Sequence, residues 1–443
     1  MKKARQRKYS AAPLRLLCVL VGVLGLALAG CVSSPPSASK AAQAADFFTP
    51  IRSIDPEDTD FSDLESLERA LAGVEVVLLG EPLHGSNTGV AARARLVRFL
   101  HARMGFSVLA YEASFYGTTR AWEDAQTASD PATVLANGVL GGWSKRHGAP
   151  LFRYLATEMK GDRPLRLAGV DPAFINGGTP EKALRFVFEA VTYLAARGCS
   201  SSWTEPIRDS LVDLAELREE ATAQQRAQLA PVSNALRAST SCLASLPAWP
   251  ASPEDDFWQQ VFAHVDALAR YRWSDPEDPE IPLIRDRAMA DNVVWLRAHH
   301  PGEKLIVWAA NLHNARTLAD VRDGDELANP GERPMGSYLA ESLGDRLFSL
   351  MTTSGEHVWR SGEREHCIPA DHRDVLEAEL QTRGLPAGWV SLRAWKADPK
   401  DRGDFVALAF GMLPRRASWG DVADGFLYLP VIDETAAVAA PAP

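Results

Sequence analysis

The hexapeptide Gly80-Glu81-Pro82-Leu83-His84-Gly85 sets a carboxylate and an imidazole three residues apart between two glycines. A histidine beside a carboxylate is suited to general-base work. The carboxylate orients the ring and favours the imidazolium formed when the ring takes a proton from water. Four further chain segments place polar groups directly after an apolar run: Glu112, then Asp171, then Asn311 with His313, then Ser354, Glu356 and His357. Arg93, nine residues beyond His84, adds positive charge for an anionic intermediate. The catalytic candidates are therefore His84, Glu81, Glu112, Arg93 and His313, with Asn311, Asp171 and Glu356 as substrate contacts. Plainer readings stand beside these. A strand-end acid is more often a cap or a loop ion pair, which suits Asp171 before Pro172. Arg93 and Arg95 on a helix are by default solvated or salt-bridged. His101 and His264 fall in helical stretches, and His299-His300 before Pro301 suit the negative end of a helix dipole. His147, His366 and His372 lie in polar loops, and of the loop histidines only His357 is retained as a candidate.

These residues need a scaffold. Residues 74–79 (VEVVLL) are β-branched and leucine-rich without clean alternation, the pattern of a strand buried on both faces of a parallel sheet. Gly80 and Gly85 permit a tight turn, and Ser86, Asn87 and Thr88 can cap the helix that residues 96–104 continue. Residues 106–111, 165–170, 304–309 and 347–352 repeat the strand pattern and deliver the other candidates at their carboxyl ends. In open α/β sheets that is where ligands bind. Residues 176–300 turn rich in Ala, Glu, Arg and Leu with helical spacing, predicting helices near 180–197, 205–221, 224–246, 254–272 and 284–299. They form a large helical insertion whose Trp203, Trp249, Trp258 and Trp273 suit core, or an apolar wall for a large substrate. Residues 405–410 and 426–431 read as late strands. The fold class is α/β, with a mostly parallel central sheet flanked by helices.

The chain opens with five Lys/Arg in residues 1–8 and an apolar stretch over 16–29, ending in Leu28-Ala29-Gly30-Cys31. This predicts a lipoprotein signal peptide over residues 1–30, lipidation of Cys31 and a flexible tether over 31–45. Val32 after the cysteine points to a periplasm-facing outer-membrane anchor. The folded domain spans 46–435, and 436–443 is a frayed Ala/Pro tail. Removing residues 1–30, which hold six Lys/Arg and no acid, takes the net charge from −10 to −16. That excludes a nucleic-acid or anionic-membrane surface as partner, leaving the lipid anchor as the membrane contact. At 46% hydrophobic residues the chain buries a large core. Cys199 and Cys242 can pair across two helices in an oxidising compartment, leaving Cys367 free.

No G-x-S-x-G elbow, S-x-x-K set, P-loop or G-x-G-x-x-G occurs in the folded part. A divalent metal is the rival chemistry, since two His and two Glu at strand ends are sufficient ligands, although H-E-x-x-H and H-x-x-x-H are both absent. The ordered set Gly80 to Ser86, Tyr111-Glu112-Ala113, Ala168 to Asp171, Arg285-Asp286-x-x-Met289-Ala290-x-Asn292 and Val307-Trp308-Ala309-x-Asn311-x-His313, continuing through Met335-Gly336 and Ser354-Gly355-Glu356, resembles the erythromycin esterase family over about residues 60–435. The resemblance implies cofactor-free attack of water on a small-molecule ester or macrolactone. His84 matches the general base and Glu81 the acid beside it, with Arg93, Glu112 and His313 around the reacting centre. The family commonly reads W-A-H-N-x-H, whereas Ala310 stands here at the first histidine. A metal-dependent hydrolase and a non-catalytic envelope binding protein remain as other readings. The oligomeric state is open.

Overall fold

The computed structural model describes residues 39–139, 141–144, 146–173, 175–176, 179–215, 221–246, 252–369, 374–398 and 403–435. Cys31, Trp249, His372 and the 436–443 tail lie outside them. Eight strands form the central sheet: β1 (Phe48–Pro50), β2 (Val76–Glu81), β3 (Phe106–Ser114), β4 (Arg166–Asp171), β5 (Lys304–Ala310), β6 (Leu347–Thr353), β7 (Gly388–Ser391) and β8 (Gly425–Tyr428). Their order is β1-β7-β8-β6-β2-β5-β3-β4. The six strands from β8 to β4 are parallel, and β7 runs antiparallel to β8 and β1 to β7. The mostly parallel sheet expected from the sequence is present, with a short antiparallel edge that its few residues did not announce. Residues 405–410 are a strand as expected, but they belong to a separate four-stranded sheet.

Successive side chains of a strand point to opposite faces, and the continuous apolar runs exist because both faces are covered. Val76 and Leu78 of β2 pack with Phe186, Trp258 and Phe262 of the helical insertion. Val77 and Leu79 pack on the other side with Phe99 and Leu100 of the helix Asn87–Met104. Each such side chain taken from water contributes about 1.5–3 kcal/mol. The insertion lies between β4 and β5 as helices Pro180–Ala196, Glu205–Ala215, Ala223–Ala244, Pro253–Trp273 and Ile281–His299. Trp203, Trp258 and Trp273 are buried in it, so they are core. Cys199 and Cys242 are bonded, with Cα atoms 5.8 Å apart and a sequence separation of 43. A cross-link of that span restricts the unfolded chain by about 4 kcal/mol. Cys367 is free.

Two local expectations are corrected. Residues 40–45, assigned to the tether, form the helix Lys40–Ala45, which buries Ala41, Ala44 and Ala45 and donates the Ala41 N–H to Asp374. Small side chains let it lie close to the domain. Ser86, Asn87 and Thr88 do not cap with their side chains. Ser86 holds the N-cap position without a side-chain bond, while Asn87 and Thr88 donate to the carbonyls of Thr435 and Val431 and tie the helix start to the C-terminal strand.

Candidate active site

Glu81 ends β2 in register with Ala310 of β5, so the hexapeptide turn and the loop bearing His313 rise from adjacent strands. Gly85 takes φ +78° in that turn, a conformation glycine adopts freely. Gly80 is required for space: a Cβ there would lie 2.1 Å from the Asn311 Oδ1. Glu112 sits in a register shift of β3 against β4 between Tyr111 and Ser114. Bulges of this kind re-aim a side chain near a site. Gly169 makes room for it, since a Cβ there would lie 2.5 Å or less from the carbonyl oxygens of Ala113 and Ser114.

The side chains form two coupled groups. In the first, the buried Glu81 carboxylate accepts four bonds. His84 Nδ1 (2.6 Å) and Trp143 Nε1 (2.7 Å) reach Oε1, and Arg93 Nη2 (2.8 Å) and Trp308 Nε1 (3.1 Å) reach Oε2. A carboxylate only accepts, so His84 carries its proton on Nδ1 and leaves Nε2 as the basic end. The ring is half exposed, at 53% of its side-chain area. The Glu81 hydrogen bond pushes His84 above the ordinary imidazole value against the opposing effect of burial. The charges of Glu81 and Glu112 add to the rise, and that of His313 subtracts from it.

In the second group Arg285 is the hub. It donates from Nη2 to Glu112 Oε1 (2.8 Å) and from Nε to Asp171 Oδ2 (3.0 Å). Its Nη1 lies 3.0 Å from His313 Nε2. The other Glu112 oxygen accepts the Ala310 N–H at 2.8 Å. Asp286 holds His313 Nδ1 at 2.8 Å and also accepts the Met335 N–H at 2.7 Å. Three carboxylates thus surround two cations. Burial opposes ionisation of Glu112, but the hydrogen bond and charge of His313 and the charge of Arg285 hold its carboxyl well below the usual range. Burial opposes charge on His313 too, yet Asp286 and Glu112 push its pKa up to about 10. Asp286 engages Nδ1 of His313 and Arg285 Nη1 sits against its Nε2, so both ring nitrogens are occupied within this group and His84 is the imidazole left to act as base. Ala310, in register with Glu81, donates its N–H to Glu112, which sets the two groups at neighbouring strand ends.

Some expected roles move. Arg93 is 1% exposed beneath Glu81, donating also to Thr352 Oγ1 at 3.0 Å and stacking 5.0 Å over Trp308. It supports the acid rather than facing a substrate oxygen. Asn311 is fully buried, its amide spent on Thr352 and Ala409. It leaves no atom for a substrate. Asp171 binds Arg285 and the Ala173 N–H (2.8 Å), the ion-pair role that its place before Pro172 suggested. Glu356 pairs with Arg364 on the strand antiparallel to its own, and His357 bonds Glu434 at 3.1 Å. Arg95 is buried against Asp63. Trp143, Trp308 and Asp286 joined the site without being singled out as functional, and Arg285 appeared only within the family motif. A tryptophan inside an apolar run gives no sign that its N–H faces a carboxylate. Arg285-Asp286 gave one signal, the start of three consecutive charges through Arg287 on a helix with many apolar residues. Among the described residues no group of three or more His, Cys, Asp or Glu is placed to hold a metal ion. Glu112 and His313 converge on the guanidinium of Arg285 instead.

A family model described as erythromycin esterase matches residues 101–419, well over half of the chain. The chain belongs to the erythromycin esterase family. This erythromycin esterase family member is also 26% identical over 405 residues to a Bacillus subtilis (strain 168) protein named "Putative hydrolase YbfO", covering 85% of this chain and 88% of the relative. Its fold is similar to that of a Bacillus cereus protein of known structure (TM-score 0.68, 17% identity, covering 89% of this chain and 97% of that one). It is similar as well to a mutant of the erythromycin esterase EreC in its open conformation (TM-score 0.61, 18% identity, 87% and 98% covered). Family and relative together place the chain among hydrolases. The matched segment begins after the hexapeptide and does not reach Glu81 and His84.

Proposed function

We propose that this family member hydrolyses an ester or lactone of a small molecule, with His84 as general base. The observation that carries the reading is the Glu81–His84 pair, a 2.6 Å bond that orients a half-exposed ring and leaves its Nε2 free of a protein partner among the described residues. Nε2 takes a proton from water as the oxygen attacks the ester carbonyl, and Glu81 stabilises the imidazolium. The tetrahedral oxyanion is stabilised by His313 and Arg285, which takes the part expected of Arg93. When the acyl–oxygen bond breaks, the imidazolium returns its proton to the leaving alkoxide, giving acid and alcohol. Glu112 and Asp171 hold Arg285 in place. Ala310 puts a methyl group at the strand end, so His313 is the histidine this loop supplies.

The pH profile tests the reading. The base works only when neutral, and its pKa is raised. The kcat/KM for an activated ester such as p-nitrophenyl acetate is expected to be full at alkaline pH. It should fall tenfold per unit below a midpoint above the ordinary 6.5. A profile flat from pH 5 to 8 would remove His84 from the role.

The N-terminal segment ending in Leu28-Ala29-Gly30-Cys31 carries the proposed location: a lipid on Cys31 anchors the enzyme in the cell envelope, with a small ester as its partner. The Cys199–Cys242 bond supports an oxidising compartment. Cys31→Ser is expected to move the protein from the membrane fraction of its host to the soluble fraction. Retention in the membrane fraction would count against the anchor.

A further inference from the structure

Trp143, on the short helix Gly141–Ser144, is one of the largest fully buried side chains, yet its indole N–H is aimed at the catalytic acid. It shares Glu81 Oε1 with His84 Nδ1, the two donors lying 2.7 and 2.6 Å from one oxygen. The indole also meets the His84 ring edge to face, with centroids 5.6 Å apart and planes at 86°. Behind it, Tyr111 lies 5.3 Å away and passes the contact on to Trp308, the donor to Oε2. The segment is folded tightly enough to hold this pose. A Cβ on Gly148 would come within 1.7 Å of the Trp143 carbonyl oxygen, so only glycine closes the loop there.

We propose that Trp143 is a positioning residue for His84, dividing Glu81 Oε1 with the imidazole and walling its ring, so that it limits how strongly the acid holds the imidazolium. The inference rests on the reading of His84 as the base. Two donors on one oxygen each draw on the same negative charge, so removing one strengthens the other. Without the indole N–H, Oε1 serves His84 alone and the protonated ring is held more tightly. The other charged groups acting on the ring, Glu112 raising its proton affinity and His313 lowering it, stay in place. Trp143→Phe keeps most of the apolar wall and deletes the N–H, which separates the hydrogen bond from packing.

The test is NMR on the full chain with labelled histidine and tryptophan, the His84 signal being assigned by its loss in His84→Asn. In the unaltered protein the Trp143 indole N–H resonance is expected to shift with the His84 titration midpoint. In Trp143→Phe that midpoint is expected to rise by roughly half a pH unit or more, and the acid limb of any ester hydrolysis should follow it. Gly148→Ala, which displaces the loop, is expected to move the midpoint the same way. An indole resonance indifferent to the His84 titration would overturn the proposal, as would an unmoved or lowered midpoint in a folded Trp143→Phe. Failure of the functional reading looks different: His84→Asn would keep its hydrolysis rate while the indole still reported the His84 titration in the unaltered protein.

Discussion

Replacing His84 by alanine is expected to lower kcat/KM for an activated ester by about 10²- to 10⁴-fold, the usual contribution of a positioned general base. The size follows from the division of labour between the two histidines. His313 is held between Asp286 and Glu112, both of which favour its charged form. Its Nδ1 is bonded to Asp286 and its Nε2 is met by Arg285, so it has no free nitrogen to offer and cannot stand in for His84. Water attacking unaided would still meet the positive charges of Arg285 and His313, so a residual rate persists rather than none. Stability should move little, because His84 is half exposed and Glu81 keeps three other donors. Initial rates and a thermal melt on the same preparation check both halves. A His84→Ala protein that melts like the parent and hydrolyses as fast would end the assignment.

Arg285→Met is expected to be the most damaging single change to the site, costing about 3–5 kcal/mol of stability as well as activity. The guanidinium is shared by Glu112 and Asp171, which are 6% and 7% exposed. Methionine fills the space without the charge, so both carboxylates remain buried and short of a partner. Lysine should not rescue it, since a single ammonium cannot bond two separate carboxylates from Nε and Nη2 as the planar fork does. The effect should depend on pH. The folded Glu112 carboxyl is depressed, so its stabilising contribution is present above the unfolded carboxylate range near 4.5 and is lost as pH falls towards the depressed value. The gap between parent and Arg285→Met should thus be widest near neutrality and narrow in acid, measured by urea unfolding at several pH values. A gap that stays constant across that range would mean that Arg285 contributes packing alone.

The strands that carry the site were legible because burial on both faces forces uninterrupted runs such as residues 74–79 and 304–309. The insertion helices were legible to within a few residues from their spacing, apart from Glu205–Ala215, whose expected continuation to 221 lies largely outside the described residues. The antiparallel edge escaped notice: β1 has three residues and β7 four, too few for a periodic signal. Roles were less legible than places. Arg93 and Arg285 both lie on helices, and nothing in their neighbours tells which guanidinium goes under β2 and which reaches the strand ends.

What the chain determined on its own was the turn Gly80 to Gly85 after a buried strand, the acid three residues from its histidine, and the family motif order. Each is local, set by backbone geometry, side-chain chemistry and spacing along a single segment. The tertiary structure decided which cation serves which carboxylate. Glu81 meets Trp143 from 62 residues away and Trp308 from 227, and Glu112 meets Arg285 from 173. Such pairings depend on how helices and loops from distant segments pack over the sheet, and a hydrogen bond resolved to a few tenths of an ångström leaves no trace in the spacing of residues along either one.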